Sequence, residues 1–394
     1  MKRALVPSWS GRVWARAGAG AVLLAAALAL PACDEGSAAT ADGREVFRHD
    51  TFGDERFWTD TLRMHEVVAT AVDPTTALSV GLKVDSDALP PGILQTADLK
   101  SPATTVALLK LNAVVGLKGT VVTEGGVDRL TRLGTTCALC HSTVDDSVMP
   151  GIGKRLDGWA NTTLNPGAII ALSPALNATQ KAVYNSWGKG KYDPRFNIDG
   201  KSTPLVIPPA YGLRDVRHAT FTGDGDVTYW NNYVAVTQMG GQGEFVDERI
   251  NVERRLPSGT PDLVKPKLRA LREYQLSLEA PPPPPGSFDA TAAARGKVVF
   301  DGAARCASCH EGSRRTGETL HAPAETGVDG AYAARTATKR YRATPLRGLW
   351  QHPPYFHDGS AATPAAVVDH YVRVLGLNLT AGQRTDLIEY LKSI

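Results

Sequence analysis

The chain has 394 residues, 43 Lys and Arg against 40 Asp and Glu, and five cysteines. That length allows two modest domains with additions. A formal charge of +3 spread over such a chain provides no strongly basic face, so nucleic-acid binding is not expected.

Residues 1–32 carry Lys2, Arg3, Arg12 and Arg16, then the apolar run AVLLAAALAL (21–30). This pattern is an export signal, with an apolar core too short for a good membrane span. Without it the remainder has 39 basic against 40 acidic side chains, a charge of about −1, so the basic balance belongs to the signal. LPAC (30–33) is similar to a bacterial lipobox with Cys33 as the lipidated residue, and ordinary cleavage a few residues later fits equally. Either route predicts a periplasmic or otherwise extracytoplasmic protein, with a membrane only through such an anchor.

Residues 33–125 read as a tether followed by an N-terminal extension. DEGSAATADG has the composition of a flexible segment. FGDERFWTDTLRMHEVV is predicted helical from Phe57, Leu62, Val67 and Val68, and His49 and His65 are expected to be structural.

Four cysteines then occur as CALCH (137–141) and CASCH (306–310). C-x-x-C-H is the attachment pattern of c-type haem. Two thiols one helical turn apart reach the two vinyl groups on one porphyrin edge, and the adjacent histidine can bind the iron. A four-cysteine zinc site would place its pairs far closer together than these two motifs stand. The expected cofactors are two covalent haems, at Cys137 and Cys140 with His141 as proximal ligand, and at Cys306 and Cys309 with His310.

The motifs belong to a repeat. Upstream of the second, Ala293, Gly296 and Phe300 fall at helical spacing behind an N-cap candidate, Asp289. Upstream of the first, Val127, Leu130 and Leu133 suggest a similar helix. Each motif is followed by a loop, 208–226 and 344–362, and each half closes on a helix with the pattern L-x-E-Y-x-x-S, at 271–277 and 387–393. PPPPPG (281–286) is a semi-rigid spacer. The expected architecture is mainly α: two c-type cytochrome domains in tandem, 126–280 and 287–394, with extended loops and the N-terminal extension.

The ligand opposite each proximal histidine decides between electron transfer and chemistry at an open iron. After the signal only Met64, Met149 and Met239 remain, none beyond the second motif. Met239, between the first loop and the first closing helix and flanked by glycines, is the candidate for the first iron, with His218 behind it. For the second, the residues leave His352, His357, His370 and Tyr371 open.

The segment TPLRGLWQHPPYFHDGSAATPAAVVDHY (344–371) resembles the C-terminal haem segment of bacterial di-haem cytochrome c peroxidases and of the related enzyme that matures methylamine dehydrogenase. The resemblance implies that the residue fourteen positions after His357 ligates the electron-transferring haem. That residue is Tyr371, and His357 itself is the other candidate. It also implies calcium between the domains, for which GDGD (223–226) is the nearest acidic segment, and a glutamate beside the first haem, where only Glu244 is available. The expected function is electron transfer with a redox partner, protein or small molecule. The alternative is a peroxidase- or oxygenase-like oxidoreductase with one open iron, its catalytic residues unassigned.

Overall fold

The structure is a computed structural model that describes residues 35–394. The signal reading of 1–32 and the lipidation candidate Cys33 lie outside the described residues.

Two helix crossings organise the chain. The helix Ala290–Asp301 packs against the C-terminal helix Ala381–Lys392, as the second motif's surroundings predict. A matching crossing joins Glu35–His49 to Leu268–Ser277. The correspondence is residue for residue. A Cβ on Gly296 would stand 1.9 Å from the Asp386 carbonyl oxygen, and one on Gly43 would stand 2.0 Å from that of Ala270. Only glycine admits so close an approach. One turn further, Phe300 meets Tyr390 edge-on at 5.2 Å and Phe47 meets Tyr274 edge-on at 5.5 Å. The sequence carries this signal as GREVF (43–47) and GKVVF (296–300).

The opening helix of the first half is therefore 35–49, inside the segment read as a tether. The predicted helix at 126–135 is instead a strand, Val127–Thr135, in a hairpin with Leu117–Glu124 across Gly125-Gly126. A two-glycine turn joining the paired Glu124 and Val127 favours that hairpin. Thr120 pairs with Arg132 and Val121 with Leu130, so Thr131 is an extra residue. This bulge puts Leu130 and Leu133 on one buried face, where an unbroken strand would send them to opposite sides. Their helix-like spacing is the signature of the bulge.

Between the opening helix and the first motif, residues 50–136 build a core that they share with side chains from 152–207. FWTDT lies in the π-helical turn Arg56–Thr61, and Met64–Ala71 is α-helical, close to the expectation. Trp58, Leu62, Val68, Leu109, Leu130 and Leu133 pack together there. All sheets among the described residues are two-stranded.

The halves meet through their matching loops. Gly212 and Gly348 both take left-handed backbone, at φ +65° and +60°. The Tyr211 hydroxyl donates to the Gly348 carbonyl at 2.9 Å, and Trp159 and Trp350 stand edge to face at 5.3 Å. Arg335 of the second half bridges Asp193 and Asp199 of the first, both at 2.8 Å. The proline spacer is fastened too, since Trp350 Nε1 donates to the Pro281 carbonyl at 3.3 Å.

Candidate haem sites

Each C-x-x-C-H motif forms a single turn that returns its histidine beneath the first cysteine. The backbone N–H of His141 donates to the Cys137 carbonyl at 3.2 Å, and that of His310 to Cys306 at 3.0 Å. Both rings are then oriented alike. His141 Nδ1 lies 3.0 Å from the Pro208 carbonyl oxygen, and His310 Nδ1 lies 3.0 Å from that of Arg315. A carbonyl can only accept, so Nδ1 carries the proton and Nε2 keeps its lone pair for a metal. Burial lowers both histidine pKa values, which keeps the rings in the neutral, ligating form.

The thiols lie in desolvated surroundings. Cys137 and Cys140 retain accessible surface, yet burial pushes both up to about 12, and Cys306 to about 11. At the first motif the two thiols divide between neighbouring cores, Cys140 with Trp187, Tyr192 and Ile207, and Cys137 with Phe47, Ala138 and Met239. At the second motif Cys306, Cys309, His310 and Tyr371 line a cavity of about 470 Å³ with largely apolar walls. Its size and apolar walls suit a cofactor with a few placed polar groups. The residues present fit a covalent porphyrin at both motifs, most openly at the second.

Tyr371 sits on the helix Pro364–Val374, capped by Thr363. Its hydroxyl has no hydrogen-bond partner among the described residues. Burial, with the Cys306 and Cys309 thiols adding, pushes its pKa up to about 12. His357 is placed differently. Its Nε2 is 3.0 Å from the Tyr341 hydroxyl, and the rings stack at 4.4 Å. Tyr341 gives its one proton to the Asp329 carbonyl at 2.9 Å, so His357 Nε2 is the donor of that pair. His370 has its Nε2 2.8 Å from the Thr326 carbonyl. His352 lines the cavity, and burial pushes it down to about 4.

Around the first motif, Met239 is buried at the end of the π-helical turn Val234–Met239, and Gly240 follows with φ +87°. Its carbonyl accepts from Trp58 Nε1 at 3.0 Å. Met149 is 39% exposed in a turn, and Met64 is buried in the core of residues 50–136. His218 Nδ1 contacts the Gly223 carbonyl at 3.2 Å. Glu244 accepts from the Leu256 N–H at 3.2 Å and lies 3.7 Å from Lys265 Nζ, which occupies its carboxylate. In the GDGD segment Asp224 binds Arg195 at 3.3 Å and Asp226 caps the following helix through Tyr229 N–H. Among the described residues there is no group of three or more His, Cys, Asp or Glu side chains placed to hold a metal ion. Sequence reasoning passed over Tyr341, Arg342 and the Trp159–Trp350 pair; the aromatic cluster around the second loop was the available hint.

Residues 293–394 match the cytochrome c family model, a match that implies covalently bound haem c in this part of the chain and suggests a haem-dependent redox role. The chain is 29% identical over 120 residues to methylamine utilization protein MauG of Methylorubrum extorquens, covering 26% of this chain and 34% of that protein. It therefore spans about a third of the length of this curated relative. Solved structures that align with it include hydrazine synthase of Kuenenia stuttgartiensis, at 19% identity and a TM-score of 0.33, covering 49% of this chain and 73% of that one. A MauG-like protein associated with microbial copper homeostasis aligns at 21% identity with the same TM-score, covering 49% and 74%. The chain resembles the di-haem cytochrome c peroxidase and methylamine-dehydrogenase-maturing proteins.

Proposed function

We propose that the chain is an exported di-haem c-type cytochrome that transfers electrons between redox partners. The observation that carries this reading is the twin motif in which both histidines direct Nδ1 to a backbone carbonyl at 3.0 Å and keep Nε2 free. Cys137, Cys140 and His141 would hold one haem, and Cys306, Cys309 and His310 the other. Such a group supplies a one-electron iron couple whose potential follows its axial ligands and burial. The protein's own contribution is to fix both imidazole tautomers, to exclude water with apolar walls, and to hold the two sites together through the Tyr211 and Trp350 contacts. The first haem domain is then split, its opening helix at 35–49 and the rest from the motif onward, with residues 50–136 inserted.

At the second site Tyr371 is the preferred distal ligand. Its hydroxyl is free towards the cavity, whereas His357 would have to give up Tyr341. At the first site Met239 is the candidate. One observation favours the alternative of an open iron there. Tyr371 stands eight residues after its N-cap Thr363, and the residue eight after the N-cap Asp226 is Val234, which cannot bind iron. An electron paramagnetic resonance spectrum of the oxidised protein tests the choice. Two low-spin irons support electron carriage, and a high-spin iron that reacts with peroxide supports the oxidoreductase alternative. Met239→Ala should change the first haem's spectrum with attachment intact, and Tyr371→Phe but not His357→Ala should change the second's coordination.

A further inference from the structure

Among the described residues four arginine side chains lie deep in the protein, and one of them lacks a counter-charge. Arg155 pairs with Asp85 at 3.0 Å, Arg195 with Asp224 at 3.3 Å, and Arg335 with Asp193 at 2.8 Å. Arg342 is only 9% exposed and forms no ion pair among the described residues. Its Nη1 donates to the His218 carbonyl, and its Nε is buried without a partner. Burial alone pushes its pKa down to about 9. An unpaired buried cation is among the costlier features a fold can hold, and such charges are retained where an anion completes them.

The position of Arg342 identifies that anion. It lies on the strand Tyr341–Arg342, and its side chain borders the same cavity as Cys306, Cys309 and His310. Cys306 packs into the C-terminal helical core with Ala304 and Leu349. Arg342 belongs to a different wall, fastened to the first half through the His218 carbonyl and through its own N–H to the Phe221 carbonyl at 2.9 Å. A porphyrin attached by its vinyl edge carries its two carboxylates on another edge, and a guanidinium is the side chain best matched to a carboxylate.

We propose that Arg342 pairs with a propionate carboxylate of the haem attached at Cys306 and Cys309, so that the first half, through His218 and Phe221, positions the charge that sets the second haem's potential. This rests on the second-haem reading above. Arg342 is a positioning residue, and its effect is electrostatic: a cation near the iron favours the added electron and keeps the propionate ionised.

The test is potentiometry of the whole protein from pH 5 to 8, with haem stoichiometry measured on the same samples. In the wild type the second haem's potential should stay flat across this range. Arg342→Met should lower it, introduce a pH dependence as the released propionate titrates, and leave the first haem unmoved. Arg342→Lys, which keeps the charge, should restore most of the potential. An unchanged second-haem potential in Arg342→Met with both haems attached would overturn the assignment. So would a one-proton slope in the wild type, a measurement that does not depend on the variant folding. A wild-type protein carrying no haem at Cys306 and Cys309 would instead remove the reading beneath it.

Discussion

The two halves use one helix crossing and then diverge at its central tyrosine. In the first half the Tyr274 hydroxyl donates to Asp157 at 2.5 Å, and the same carboxylate accepts from Arg48 at 2.5 Å and Ser142 at 2.8 Å. In the second half the Tyr390 hydroxyl accepts from Arg315 Nε at 2.9 Å, with the guanidinium also over the ring at 5.5 Å. The crossing itself needs only glycine, phenylalanine and tyrosine in register. What surrounds it is free to vary, and the first half has filled that freedom with an 87-residue insertion and a buried carboxylate network. The second half is compact around a cavity of about 470 Å³.

The insertion brings a pH dependence opposite in sign to that of the buried histidines in the second half. Asp54 is fully buried behind the first motif and accepts from Thr135 N–H and hydroxyl, yet desolvation outweighs those bonds and raises its pKa to about 8. Its unfolded value is about 3.9. Below that both states hold the proton; between about 4 and about 8 only the folded state does, so stability falls as pH rises through this window, by up to about 1.4 kcal/mol per unit. Chemical denaturation of the first half across these pH values should show the fall, and Asp54→Asn should flatten it. Between about pH 4 and 6.5 the second half should instead gain stability as pH rises, because burial holds His352 down to about 4, and a falling slope there would break the contrast.

The crossing provides the next largest effect. Gly43→Ala and Gly296→Ala should each destabilise their own half by about 3 kcal/mol, because the methyl group meets backbone that cannot move aside. Denaturant midpoints followed by near-ultraviolet signals of each half would check this. A neutral Gly43→Ala would show that 35–49 is not the counterpart of 290–301.

The tyrosines should differ more gently. Tyr274→Phe removes one of the donors that satisfy buried Asp157 and should cost about 2 kcal/mol, whereas Tyr390→Phe leaves a partly exposed Arg315 to water and should cost about 1 kcal/mol. Thermal melts of the two variants would compare them directly; the reverse ranking would sink the account of Asp157 as the first half's polar anchor.

The C-x-x-C-H turns, the two closing helices and the loop that leads into the helix of Tyr371 were legible because each is a local pattern with a chemical reason for its spacing. The second opening helix was legible because it stands directly before its motif. The first was hidden by the insertion, although GREVF matches GKVVF at the positions that touch the partner helix. The stripe Val127, Leu130, Leu133 misled because a bulge at Thr131 gives a strand the spacing of a helix. Arg342 could not be singled out from sequence at all: a buried arginine differs from an exposed one only in what the fold places beside it.

The reading stands on one porphyrin being joined to each pair of thiols. Intact-mass measurement of the purified protein, with Cys137→Ala/Cys140→Ala and Cys306→Ala/Cys309→Ala double variants alongside, tests it most directly. Two haem masses on the wild type and one on each variant are expected. A wild-type chain with its four thiols free, or a variant pair that does not change the count, would contradict it.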